Sequence, residues 1–192
     1  MPRLIHLNGL SRVGKSTLAR RYVDEHPGTL ALDLDVLAGL IGGWREDFST
    51  AWGIARAHGR ALATRHLREG YDVVLPQLVT SYDRCPGFEE AAREAHAAYI
   101  EVALLVHDQE HLQRLRGKQP ANEIEARIQA RLEDPASDLV DRIRRHLAEY
   151  LADRPHTIRL DTTGLGEDAS YEALLNVLAA YPLPGARASA DG

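Results

Sequence analysis

Short apolar runs and longer amphipathic stretches alternate along the chain. "RLIHL" (3–7), "TLALDL" (29–34), "YDVVLPQL" (71–78), "AYIEVALLV" (98–106) and "HTIRLD" (156–161) have the length and character of buried strands. Helix-length segments separate them. The first covers 15–26 and is closed by Pro27-Gly28. A long helix runs from a Ser49 cap to Glu69, with Gly70 as the stop. Further helices follow Gly87, cover 108–116, start at a Ser137 cap with an apolar face of Val140, Ile143, Leu147 and Tyr150 or Leu151, and cover 168–181. Strands that recur with helices between them form parallel sheets with right-handed crossovers. Ligands in such sheets sit at the carboxyl ends of the strands. The pattern predicts one α/β domain over residues 1–181 with a five-stranded parallel sheet. The segment "PLPGARASADG" (182–192) reads as a flexible tail.

Composition narrows the function. A chain of 192 residues is long enough for one full core, and 44% hydrophobic with 27% charged residues is ordinary for a soluble domain. A net charge of −5 argues against a general nucleic-acid or anionic-membrane binder. Cys85 is the single cysteine, which excludes an internal disulfide and a cysteine metal cluster. No apolar run approaches the roughly 20 residues that span a bilayer. "MPRLIHLNG" enters a strand directly, without the architecture of a signal peptide. The expectation is a cytoplasmic protein, monomeric or homodimeric.

The strongest chemical signal is "HLNGLSRVGKSTLAR" (6–20). Gly9, Gly14, Lys15 and Ser16 fill every fixed position of the phosphate-binding pattern G-x-x-x-x-G-K-[ST], between a strand and a helix. Glycines let the backbone close around a phosphate chain, with N–H groups of Ser11, Arg12 and Val13 turned inward. Lys15 would reach the β- and γ-phosphates, and the Ser16 hydroxyl would ligate Mg²⁺. Thr17 is either a further contact or a packing residue. There is no Asn-Lys-x-Asp guanine-reading motif, so ATP is the expected nucleotide.

Together with "LDLDVL", "YDVVLPQ", "LQRLRGKQ" and "LDTTG" in that order, this loop resembles the P-loop small-molecule kinases. The chloramphenicol phosphotransferase-like and zeta-toxin-like kinases are the most similar, with shikimate and gluconate kinases further off. The resemblance implies a three-layer P-loop NTPase fold with a lid at about residues 114–135. It also implies an aspartate after the second strand that faces the acceptor hydroxyl. Asp35 takes that role here, and Asp33 supports it or approaches the Mg²⁺ waters; the alternative is that Asp35 caps the following helix. The third strand departs from the pattern. Pro76 and Gln77 stand where a metal-orienting acid would fall, leaving Gln77 to hydrogen-bond a substrate or a metal-bound water, or to be a buried structural amide.

Between the second and third strands, Trp44, Arg45, Phe48, Trp52 and Arg56 suit a pocket for a flat or sugar-like polar molecule, or else form core. Tyr82, with Ser81 and Arg84, lies on the same rim. In the lid, Arg114 and Arg116 are candidates to stabilise the migrating phosphoryl group, with Arg127 and Arg131 as alternates. Two residues apart, the first pair cannot both point one way from a regular helix. The resemblance places adenine near Thr162 or Thr163. These features together point to ATP- and Mg²⁺-dependent phosphorylation of a hydroxyl on a small molecule, with an antibiotic as one candidate acceptor. A metabolite kinase, or a nucleotide-dependent protein that sequesters a drug unmodified, are the rival readings.

Overall fold

The expected strands form one parallel sheet in the order β2-β3-β1-β4-β5. They are β1 (Arg3–Asn8), β2 (Leu30–Ala31), β3 (Val73–Leu75), β4 (Ala98–Leu105) and β5 (Ile158–Asp161). The structure, a computed structural model, describes residues 1–81, 86–117, 119–120, 122–134 and 137–181, with Pro86 and Arg116 described in their backbones only. The helices among the described residues are α1 (Lys15–Glu25), α2 (Leu34–Gly39), α3 (Phe48–Arg68), α4 (Pro86–Glu94), α5 (Asp108–Gly117), α6 (Glu123–Leu132), α7 (Leu139–Ala152) and α8 (Glu167–Ala180). None of them is long and apolar enough to cross a membrane. The expected tail, 182–192, lies outside the described residues.

Alternation along the central strand builds three layers. Ile5 and Leu7 of β1 join Ile100, Val102 and Leu104 of β4 beneath Leu18 and Tyr22 of α1 and Leu174 and Leu178 of α8. Leu4, Val73 and Leu75 pack on the opposite face against Ala63 and Leu67 of α3 and Phe88 and Ala92 of α4. Ala103 of β4 is covered by Leu147 and Leu151 of α7. Each large side chain buried this way contributes roughly 1.5–3 kcal/mol. The loops at the carboxyl edge of the sheet are therefore anchored from both sides.

Two strands are shorter than their apolar runs. β2 stops at Ala31 because Asp33 caps α2, its Oδ1 accepting the backbone N–H of Asp35 at 2.9 Å and of Val36 at 3.4 Å. The two acids therefore sit at a cap and in a first helical turn, not on one extended strand face. β3 stops at Leu75 because Pro76 has no N–H to continue the ladder. The long helix is capped by Asp47 rather than Ser49, with Thr50 N–H donating to Asp47 Oδ1 at 3.0 Å. Both Asp47 and Ser49 have capping chemistry, and the upstream residue wins.

Candidate active site

Between β1 and α1 the chain makes the tight loop that the motif requires. Gly9 has φ 139°, and a Cβ there would lie 2.6 Å from the Leu104 carbonyl oxygen, so only glycine fits beside β4. Gly14 (φ 106°) precedes α1 and provides no side-chain cap, and the first turn carries no acid. The positive end of α1 is thus open to an anion. Val13 buries its side chain in the core, which leaves only its backbone to face a phosphate. Lys15 Nζ donates to the carbonyls of Gly9 (2.9 Å) and Leu10 (2.7 Å). Burial lowers its pKa to about 8, although Asp35 and Asp33 pull it upward. These donors fit a polyphosphate chain.

A cavity of about 300 Å³ opens from this loop, within the range of small-molecule sites. Its walls include Ser11, Arg12, Gly14, Lys15, Ser16 and Thr17 from the loop and α1, and Asp35 from α2. Phe48 and Trp52 of α3, Gln77 beyond β3, and Glu125, Ile128 and Gln129 of α6 complete the enclosure. Phe48 and Trp52, one helical turn apart, stack with centroids 5.8 Å apart. Desolvation of the Asp35 carboxyl raises its pKa to about 6, helped by Asp33 and Glu125 and opposed by Lys15. A group poised there can take up a proton near neutral pH. An apolar annex of about 60 Å³, lined by Leu10, Leu78, Val140 and Ile143 among others, shares the Ser11, Leu115 and Leu132 walls.

Several expected pocket residues lie elsewhere. Trp44 is packed against Ala38, Ala51, Ala55 and Ile124, so it is core. Arg45 stacks over Trp44 at 4.6 Å and pairs with Glu123 on the surface. Arg56, a turn beyond Trp52, is not on the cavity wall. An aromatic-rich segment cannot say which of its rings face a ligand until helix phase is set. Gln77 does line the cavity, and its Nε2 donates to the Leu78 carbonyl at 3.3 Å. For magnesium, Ser16 and Asp33 are the candidate holders, Asp33 with one oxygen engaged as the α2 cap. Among the described residues no group of three or more His, Cys, Asp or Glu side chains could hold a metal. The residues present fit Mg²⁺ as an ion carried mainly by phosphate oxygens and waters.

The lid cations are arranged differently from the expectation. Arg114 pairs with Glu110 and donates to the carbonyls of Val13 (3.4 Å), Thr162 (3.2 Å) and Leu165 (3.4 Å). It ties the phosphate loop to the turn between β5 and α8 and does not line the cavity. The Arg116 side chain, Lys118, Tyr82 and Arg84 lie outside the described residues. Arg127 donates to the Arg45 carbonyl, and Arg131 is exposed. Among the described residues, the guanidinium that reaches the cavity belongs to Arg12, whose φ of 67° turns it toward α6. There it donates to Gln129 Oε1 at 2.7 Å and lies 3.8 Å from Glu125 Oε2. The hydroxyls at the expected adenine position are engaged with backbone: Thr162 Oγ1 donates to the Leu105 carbonyl (3.2 Å), and Thr163 Oγ1 accepts from His107 N–H (2.9 Å). Glu125 and Gln129 on the cavity wall escape the sequence reading, since an amphipathic helix gives no sign of which polar residues turn inward.

Residues 4–137 match the family model described as an AAA domain. No curated protein matches the sequence. The fold is similar to thymidylate kinase from Candida albicans, at 14% identity, TM-score 0.59, and coverage of 93% of this chain and 92% of that one. It is similar to the Deinococcus radiodurans tunicamycin resistance protein (16% identity, TM-score 0.56, 92% of this chain and 96% of that one). A gluconokinase from Sinorhizobium meliloti is similar as well, at 17% identity, TM-score 0.55 and 93% of both chains. With the matched segment running from β1 through the phosphate loop and past α6, the chain belongs to the AAA domain family and has the fold of the small-molecule P-loop kinases.

Proposed function

We propose that the protein is an ATP-dependent phosphotransferase that acts on a hydroxyl of a small molecule. One observation carries this reading: Asp35 stands on the wall of the same cavity as Lys15 and the aromatic pair Phe48–Trp52. In that arrangement the aromatic pair and Gln77 hold the acceptor, and Asp35 takes the hydroxyl proton as the new O–P bond forms and the bond to ADP breaks. Lys15 and Arg12 offset charge on the phosphoryl oxygens, and the open amides of α1 bind the phosphate chain. Ser16 and Asp33, with water, would hold magnesium, which would supply positive charge against the phosphates.

The annex of Leu10, Leu78, Val140 and Ile143 favours an acceptor with an apolar portion beside its hydroxyl. An antibiotic fits that description, and the likeness to a tunicamycin resistance protein supports drug resistance as the role. The likeness to a gluconokinase supports a metabolite acceptor as the second reading. The test is to incubate the protein with ATP, magnesium and a panel of hydroxylated drugs and metabolites, and to follow ATP consumption and product phosphorus NMR. A phosphomonoester with one compound class is expected. ATP consumption that yields only inorganic phosphate across the panel would contradict the reading.

A further inference from the structure

Beneath the phosphate loop, on the sheet face covered by α7, lies a buried polar cluster that the proposed chemistry does not use. Its centre is Glu101 of β4, only 5% exposed in an otherwise apolar strand. Glu101 Oε1 accepts from Asn8 Nδ2 at 2.9 Å and from the Tyr150 hydroxyl at 3.0 Å. Its Oε2 accepts from Arg154 Nε at 2.9 Å and Thr157 Oγ1 at 2.8 Å. Burial pushes this carboxyl up, but the neighbouring His6 ring, the Asn8 and Thr157 donors and Arg154 together hold it below the usual carboxylate range.

Asn8, the last residue of β1, is fully buried and uses its whole amide. Oδ1 accepts from the N–H of Gly9 (2.7 Å) and of Val79 (2.9 Å), and Nδ2 also donates to the Val79 carbonyl (3.0 Å). An ionised carboxylate only accepts, so Glu101 dictates which end of the Asn8 amide faces it. The oxygen end must then face Gly9 and Val79. Beside them His6 Nε2 donates to the Gln77 carbonyl at 2.8 Å, which fastens the same segment at a second point. The Gly9 carbonyl in turn accepts from Lys15 Nζ.

We infer that Asn8 and Glu101 are positioning residues for phosphoryl transfer: they set the first glycine of the phosphate loop, and through it Lys15, against the Gln77–Val79 segment beside the acceptor. The inference rests on the proposed kinase reading. Neither residue lines the cavity. The Gly9 N–H is bonded to Asn8 and is not a phosphate donor, so the pair acts on alignment more than on nucleotide affinity.

The test uses the full chain, a fluorescent ATP analogue for affinity, and slow hydrolysis of ATP with magnesium, in which water is the acceptor. Glu101→Gln loosens the choice of Asn8 orientation. It should lower kcat roughly tenfold or more, since misplacement by about 1 Å costs up to about 10²-fold. Its affinity for the analogue should change by less than about threefold, because binding common to ground and transition states is retained. Asn8→Asp sets two carboxylates face to face and should be worse; if it fails to fold, Glu101→Gln decides. The exchange variant Asn8→Asp/Glu101→Gln restores an acceptor opposite a donor at this contact, though not the bond to the Val79 carbonyl, and should regain part of the rate relative to Asn8→Asp. Thr157→Val removes one bond to the same carboxylate away from the loop, and should lower Tm with kcat unchanged. Wild-type kcat in Glu101→Gln, or rates that merely follow Tm through all variants, overturns the inference. A wild-type protein that binds no analogue overturns the kinase reading itself, and the inference with it.

Discussion

Lys15 and Asp35 are perturbed in opposite senses by one shared environment. Desolvation works against charge on both, bringing the ammonium down to about 8 and the carboxyl up to about 6. Removing the Lys15 ammonium should lower kcat by roughly 10²-fold or more, the scale seen for preorganised electrostatic groups. Steady-state rates of Lys15→Ala with a real acceptor check this, and near-normal turnover would contradict it. Asp35 makes a stability prediction of its own. Its folded pKa lies above the unfolded 3.8, so the folded state binds the proton more tightly. That contribution is present below about pH 4 and is lost as pH rises through about 6. Asp35→Asn should therefore raise Tm at pH 7.5 and lose the gain near pH 4, in melts run in metal-free buffer. A lower Tm for the variant at pH 7.5 would show that ionised Asp35 is a net stabiliser.

At the level of elements, the α2 cap and the α3 face decide which polar and aromatic residues are available to a ligand. Asp33 is the cap of α2 and also the candidate to orient magnesium-bound water, and two substitutions separate those duties. Asp33→Asn keeps a capping side chain but loses the charge, so it should raise the Mg²⁺ needed for half-maximal activity with little change in Tm. Asp33→Ala should also cost about 1 kcal/mol of stability through the lost cap. Gln77→Ala should weaken the acceptor and leave the Mg²⁺ requirement near normal, because an amide supplies hydrogen bonds but no charge. Along α3, Trp52 faces the cavity, while Trp44 just before the helix is core. Trp44→Ala should cost roughly 3–5 kcal/mol in denaturant unfolding. Trp52→Ala should raise the acceptor KM with a smaller loss of stability. The loop was legible because its spacing is fixed, and Asp35 and Gln77 because each follows an apolar strand run closely enough to line the cavity. The sequence could not separate Trp44 from Trp52, or see that Arg114 faces the loop backbone, because those outcomes depend on helix phase and docking. Glu101, a lone charge inside "AYIEVALLV", goes unassigned in the sequence because that run reads only as a buried strand. Its partner Asn8 has no signature either.

Over the whole molecule, the central position of β1 explains why the phosphate loop and the cavity share one edge of the sheet. Flanked by β3 and β4, it delivers the phosphate loop between the Gln77 segment and the β5–α8 turn, while α2, α3 and α6 close the cavity from outside. The order of strands was legible only as parallel and alternating; the 2-3-1-4-5 arrangement is set by which strands share a backbone ladder, and a strand's apolar pattern does not name its neighbour. The central claim is that this edge transfers a phosphoryl group with Asp35 as proton acceptor. Its most direct test pairs calorimetry with phosphorus NMR on wild type and Asp35→Asn, using ATP, magnesium and the acceptor that the panel identifies. Wild type should convert ATP to ADP and a phosphomonoester of the acceptor. Asp35→Asn should bind both ligands within a few-fold of wild type and form no ester above about 1% of the wild-type rate, the loss typical of a missing general base. An Asp35→Asn protein that makes the ester at the wild-type rate, or a wild type that binds the acceptor with ATP and releases it unmodified, would contradict the account.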